Sequence, residues 1–112
     1  MAKALIYVRH RSSVIRELQE KLCRNWCERH GHTVVRVRQE AGTATALELA
    51  HGELEAEQLD FGLIVAWRSD RYDRDTSRLF SLIQQARERS VPLFTADDLE
   101  LTKAPEGISR GD

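Results

Sequence analysis

Four short, mainly apolar runs alternate along the chain with stretches whose apolar residues recur at helical spacing. Lys3 to Arg9 (KALIYVR) holds Leu5, Ile6, Tyr7 and Val8 in one unbroken run, which predicts a strand covered on both faces. His10-Arg11-Ser12-Ser13 is polar and predicts a loop, with Ser12 or Ser13 as helix N-cap. From Val14 to His30, the residues Val14, Leu18, Leu22 and Trp26 fall at i, i+4, i+8 and i+12, with Ile15 beside them. That spacing predicts a helix with one apolar stripe on the core, stopped by a left-handed Gly31. Thr33 to Val37 is β-branched and predicts a second strand.

Arg38 to Thr45 has no period, and Gln39-Glu40-Ala41-Gly42-Thr43 predicts a mobile loop. Ala46 to Glu57 has helical character interrupted by Gly52, which predicts a short helix. Phe61 to Ala66 predicts a third, buried strand. Ser77 to Arg89 predicts a helix whose core face is Leu79, Phe80, Leu82, Ile83 and Ala86. Ser90 takes the chain out of that helix, and Val91 to Thr95 predicts a fourth strand. Asp97 to Asp112 has no clear period and predicts a tail whose last residues are disordered or loosely docked. The alternation of strands and helices predicts an α/β fold: an open, mostly parallel sheet of four to five strands, with helices on both faces and right-handed crossovers. Residues 1–112 then form one domain, with an ordered core to about residue 96.

The densest charge lies where the third strand gives way to a helix. There Arg68, Arg71 and Arg74 stand among Asp70, Asp73 and Asp75. Guanidinium groups bind phosphate oxygens in a bidentate fork, and a helix N-terminus adds unpaired N–H groups that favour an anion. The alternative reading is a helix cap from Asp73 or Asp75 with surface ion pairs. Arg9 bears on that choice. In open α/β sheets, ligands sit beyond the carboxyl ends of the strands, so adjacency of strands one and three brings Arg9 to the same rim as Arg68, Arg71 and Arg74.

Composition narrows the classes. The chain has 112 residues, 41% hydrophobic and 31% charged, with a net charge of −1. That suits a globular domain and argues against a protein that coats nucleic acid through a basic excess. No apolar run has the length of a membrane span, and the first residues are too short a run for a signal peptide, so a cytoplasmic location with reduced Cys23 and Cys27 is expected. The spacing of Cys23, Cys27, His30 and His32 admits zinc, but buried cysteine packing accounts for the thiols as well. Glu48, Glu53, Glu55, Glu57 and Asp60 read as a solvated acidic face, Trp67 as packing, and His10 as an exposed loop residue.

Several of these segments resemble one family. Ile6-Tyr7-Val8-Arg9 resembles the opening Tyr-x-Arg strand of the serine recombinase catalytic domain, found in resolvases, DNA invertases and large serine integrases. Gln19 matches that family's glutamine on the first helix, and Gly31-His32-Thr33-Val34-Val35 resembles its approach to strand two. Asp70-Arg71-Tyr72-Asp73-Arg74-Asp75-Thr76 resembles its Asp-Arg-Leu-x-Arg-(Ser/Asp)-Thr motif. Ser90-Val91-Pro92-Leu93 is similar to its Gly-Val-x-Leu, and Asp98-Leu99 to Gly107 to the segment before its dimerisation helix.

The resemblance implies site-specific DNA recombination through a 5′-phosphoserine intermediate. It implies DNA as substrate, a homo-oligomer or partner recombinase in the full assembly, and no metal or other cofactor. By resemblance, Arg9, Arg71 and Arg74 take the family's arginine roles, and Asp70 positions or helps the leaving oxygen. Arg11, Gln19 and Arg68 are expected at the phosphate or DNA. The family's nucleophile lies two residues after the strand-one arginine, where this chain has Arg11. Either the loop shifts by one residue, about 3.8 Å between Cα atoms, and Ser12 attacks, or the nucleophile is lost and Ser12 only caps the helix. The second case describes a resolvase-fold relic, an accessory module that binds DNA or a recombinase without cutting. The loop after strand two also departs from the pattern, since it keeps an acidic residue and Gly42 but has no serine beside them.

Overall fold

A computed structural model describes residues 2–40, 52–68 and 76–103. Its elements are β1 (Lys3–Arg9), α1 (Ser13–His30), β2 (Thr33–Glu40), β3 (Leu63–Ala66), α2 (Thr76–Glu88) and β4 (Leu93–Thr95). The four strands form one sheet in the order β2-β1-β3-β4. Every named pair is parallel, and Tyr7 lies between Arg38 of β2 and Ala66 of β3.

β1 is buried from Ala4 to Val8, each residue at most 2% exposed. Its side chains alternate between two cores, as the pleat requires. Ala4, Ile6 and Val8 meet Cys23, Trp26 and Cys27 of α1. Leu5 and Tyr7 meet Leu82, Ile83 and Ala86 of α2, with Leu54 and Phe61 from the intervening segment. The expected sheet with helices on both faces is the one observed.

α1 corrects the expected packing face. Val14 and Leu18 are exposed and Leu22 borders solvent, whereas Gln19, Cys23, Trp26 and Cys27 are buried. The buried set also has helical spacing, so periodicity allowed either face. Polar anchors select the rotation. The Gln19 amide bonds the backbone of Arg9, and the Trp26 indole N–H donates to Asp98 Oδ1 at 2.7 Å. On α2, Phe80 is likewise exposed rather than core.

β2 runs three residues past its expected end, because a ladder of backbone bonds needs no apolar side chains at a sheet edge. Arg38, Gln39 and Glu40 pair with Tyr7, Val8 and Arg9. The acidic face is also not merely solvated. Arg36 donates to Glu53 at 2.7 and 3.1 Å and to Asp60 at 2.8 and 3.0 Å. Residues 52–55 are helical, while 41–51, which hold the expected loop and most of the expected short helix, lie outside the described residues.

Both long helices end in the same way. Gly31 at φ 75° directs its N–H to Glu28 and that of His32 to Cys27. Ser90, at φ 58°, repeats the geometry with bonds from Ser90 to Arg87 and from Val91 to Ala86. Each closes a Schellman motif.

Past β4 the chain folds back, in a stretch where the sequence shows no clear period. Thr95 N–H reaches Leu99 O at 2.9 Å and Leu101 N–H reaches Leu93 O at 2.8 Å, around a left-handed Asp98 at φ 72°. The Asp98 carboxylate holds that reversal by bonding Trp26 and His30, the latter at 2.9 Å. Residues 104–112 lie outside the described residues.

Two stability effects follow from these contacts. Ser90→Gly relieves a left-handed residue that bears a Cβ, and should raise unfolding free energy by roughly 1 kcal/mol in a urea titration. The Trp26 and His30 bonds hold the Asp98 carboxyl below the usual carboxylate range, and burial holds the His32 imidazole below its usual range. In both cases the folded chain binds fewer protons than the unfolded one. The stability they contribute is present at neutral pH and is lost as pH falls, first through the imidazole range and then through the carboxylate range. Asp98→Asn should flatten the acid limb of a plot of urea midpoint against pH.

Candidate active site

The carboxyl end of the sheet gathers several of the expected residues. Arg9 closes β1, and its backbone is bracketed by one side chain. Its N–H donates to Gln19 Oε1 at 3.0 Å, and its C=O accepts from Gln19 Nε2 at 3.1 Å. Gln19 is 1% exposed. A buried primary amide thus acts as a short extra strand, and it fixes the point at which the Arg9 side chain leaves the sheet.

The turn that follows is built on residues that sequence reasoning set aside. His10 is half-buried, not simply exposed, and its Nδ1 accepts the Ser12 N–H at 2.9 Å. The His10 N–H donates to Glu40 O at 3.1 Å, which ties the turn to the end of β2. Arg16 reaches back from α1 to His10 O at 2.5 Å and to Arg11 O at 3.1 Å, and it touches Gln39 at 3.4 Å. The signal for Arg16 was a cation one turn into a helix, which can bond the carbonyls of the preceding loop. The signal for Glu40 was the alternation of valine and arginine that continues β2.

Ser12 is the N-cap of α1, with extended backbone at φ −81° and ψ 128°. Its Oγ accepts from Ile15 N–H at 3.4 Å, a long bond. The hydroxyl proton is not consumed by that contact, so capping and chemistry are compatible at this oxygen. Ser13 is the first helical residue, and the first turn carries no acidic side chain. Arg11 is exposed beside Ser12.

Because Tyr7 pairs with Ala66, Arg9 and Arg68 each stand two residues past a paired position on adjacent strands. Arg68 lies over the ring of Trp67, 4.8 Å from its centroid. Arg9, Arg11, Ser12, Gln19 and Arg68 therefore belong to one rim. Asp70, Arg71 and Arg74 lie outside the described residues, as does the rest of the motif up to Asp75.

The cysteines and histidines weighed for zinc are placed differently. Cys23 and Cys27 pack into the core against β1, and burial pushes the Cys23 thiol up to about 12 and the Cys27 thiol upward. His30 bonds Asp98, and His32 Nδ1 accepts the Ala2 N–H at 3.2 Å. Among the described residues no group of three possible ligands converges.

The family described as "Resolvase, N terminal domain" matches residues 4–108. The chain belongs to that family. Among solved structures, this resolvase domain is similar to a resolvase family site-specific recombinase from Streptococcus pneumoniae. The TM-score is 0.78 at 15% identity, over 98% of this chain and 83% of that one. The N-terminal catalytic domain of TP901-1 integrase gives 0.72 at 18% identity, over 91% and 83%. The C-terminal catalytic domain of ISC1926 TnpA, an IS607-like serine recombinase, gives 0.67 at 19% identity, over 87% and 71%. At such identities the likeness is one of fold. No curated protein matches the resolvase domain significantly. Among the described residues, no helix is long and apolar enough to cross a membrane.

Gln19→Leu tests the bracket. The leucine keeps the volume but removes both side-chain bonds to the Arg9 backbone. The domain should lose about 1–3 kcal/mol of stability. The Arg9 amide should also exchange with solvent markedly faster, as read by NMR.

Proposed function

We propose that this resolvase domain is the catalytic domain of a serine recombinase, cutting and rejoining DNA through a 5′-phosphoserine link. The observation that carries the reading is the rim itself. Arg9 is held by Gln19 at the carboxyl end of β1, next to the N-terminus of a helix that starts at Ser12 and has no acid in its first turn. Cation and helix terminus together suit a phosphodiester.

In the proposed step, Ser12 Oγ attacks phosphorus, the P–O bond to the 3′ oxygen breaks, and the phosphate stays on the serine. The serine proton is lost, and a proton reaches the departing 3′ oxygen, with Asp70 positioned to assist. Arg9, Arg71 and Arg74 balance the charge on the equatorial oxygens, which is the main demand of phosphoryl transfer. Arg11 and Arg68 extend the positive rim along the DNA backbone. One phosphodiester is exchanged for another, so rejoining a new 3′ hydroxyl needs no external energy source. The resemblance also supports a homo-oligomer or partner recombinase as the working assembly, on DNA and in the cytoplasm, with no cofactor.

A specific observation favours a second reading. Arg11 occupies the position that the resemblance assigns to the nucleophile, and Ser12 serves as an N-cap. In that reading the domain binds DNA backbone or a recombinase subunit without cutting.

The two readings separate on Ser12→Ala. With a nicked duplex oligonucleotide as trap, the enzyme reading expects a covalent protein–DNA adduct by denaturing gel and mass spectrometry, lost in Ser12→Ala with sulfate binding intact. Sulfate binding, followed through the backbone amides of Arg9 to Ser13, should weaken about tenfold or more in Arg71→Ala. Unchanged sulfate affinity in that variant would remove the phosphate site from both readings.

A further inference from the structure

Among the described residues, the apolar row that the sequence aligns along α1 stands exposed. Val14 is 69% exposed, Leu18 52% and Leu22 36%. Single exposed apolar side chains are ordinary, but three in register on one helix are not. The row also leads somewhere. At Leu22 it opens into a groove of about 530 Å³ between α1 and the sheet, bordered by Asn25, Trp67, Ala96 and Asp97.

We propose that a second copy of this chain docks on this face through the same row, with the two α1 helices antiparallel. A twofold contact requires a patch that complements itself. A row at i, i+4, i+8 is a ridge of the class that interlocks with its own kind, at a crossing angle of about −50°. With the axis at Leu18, Leu18 meets its own copy, and Val14 of each chain faces Leu22 of the other at the mouth of the groove. Charge selects the direction. The neighbouring row reads Glu17, Lys21, Asn25. Antiparallel helices set each Glu17 across from Lys21 of the second copy, twice by symmetry, whereas parallel helices set like charges together. Neither Glu17 nor Lys21 enters an ion pair among the described residues, although Glu20 and Arg24 on the same helix do, at 2.8 Å. Three apolar side chains make a small contact beside the roughly 800 Å² per partner of a standard interface, so the expected dissociation constant is micromolar or weaker. The contact is independent of whether the rim cuts DNA.

Sedimentation equilibrium of the 112-residue chain, from about 1 µM to about 1 mM, tests the contact. The expected result is a reversible dimer that weakens about tenfold or more in Leu18→Glu, a half-exposed site whose change should leave the circular dichroism and melting temperature intact. Lys21→Glu should also weaken it, and Glu17→Lys with Lys21→Glu should restore it. A chain that stays monomeric throughout, a dimer that survives Leu18→Glu, or a charge exchange that fails to restore association would each overturn the proposal. A monomer would assign the row to a different occupant, such as a further segment of a longer chain.

Discussion

The burial of β1 on both faces is the constraint on which the other elements depend. Five consecutive residues of that strand see almost no solvent, and they divide their side chains between two cores that do not mix. Neither helix can be removed without exposing half of the strand. In open parallel sheets ligands meet the carboxyl ends of the strands, and Arg9 stands at that end of β1. The strand's interior is given to packing, and its last residue is where the proposed site begins.

Much of this was legible in the residues. The continuous Leu5-Ile6-Tyr7-Val8 run marked the doubly covered strand, and Gly31 marked the end of α1 through the one conformation that glycine adopts freely. The adjacency of β1 and β3, on which the shared rim depends, was not legible, because a βαβ pattern makes strands parallel without saying which are neighbours, and the sheet order supplies it. The face of α1 was not legible. Hydrophobicity ranks Val14, Leu18 and Leu22 above Gln19 and Cys23, but rotation was decided by polar bonds to Arg9 and Asp98, whose partners lie ten and seventy-two residues apart in sequence. The end of β2 was hidden for a related reason: Arg38, Gln39 and Glu40 look like loop residues until a ladder partner is known.

At the candidate site the same split appears. Arg9 was marked by its place at the end of a strand and Gln19 by the resemblance to the serine recombinases, and the structure adds how they combine, with one side chain setting the backbone of the other. In sequence His10 reads as merely exposed and Arg16 is passed over because their work is on main-chain groups, and main-chain bonding leaves little trace in a list of residue types. The turn between β1 and α1 is consequently stiffer than its polar composition suggests. It is tied to α1 through Arg16 and to β2 through Glu40, so a shift of register at Ser12 would have to displace several bonds together.

The arginines of β2 bear on how the molecule behaves in a crowded solution. An outer parallel strand is a template on which stray chains can extend a sheet. Here it alternates valine with Arg36 and Arg38, and Arg36 is gripped by Glu53 and Asp60 while Arg38 reaches Glu53. A stray strand added along that side would have to bury ion pairs or break them. The clasp that fastens residues 52–60 to the sheet therefore also acts as a guard against aggregation, and it does so at the border most remote from β4.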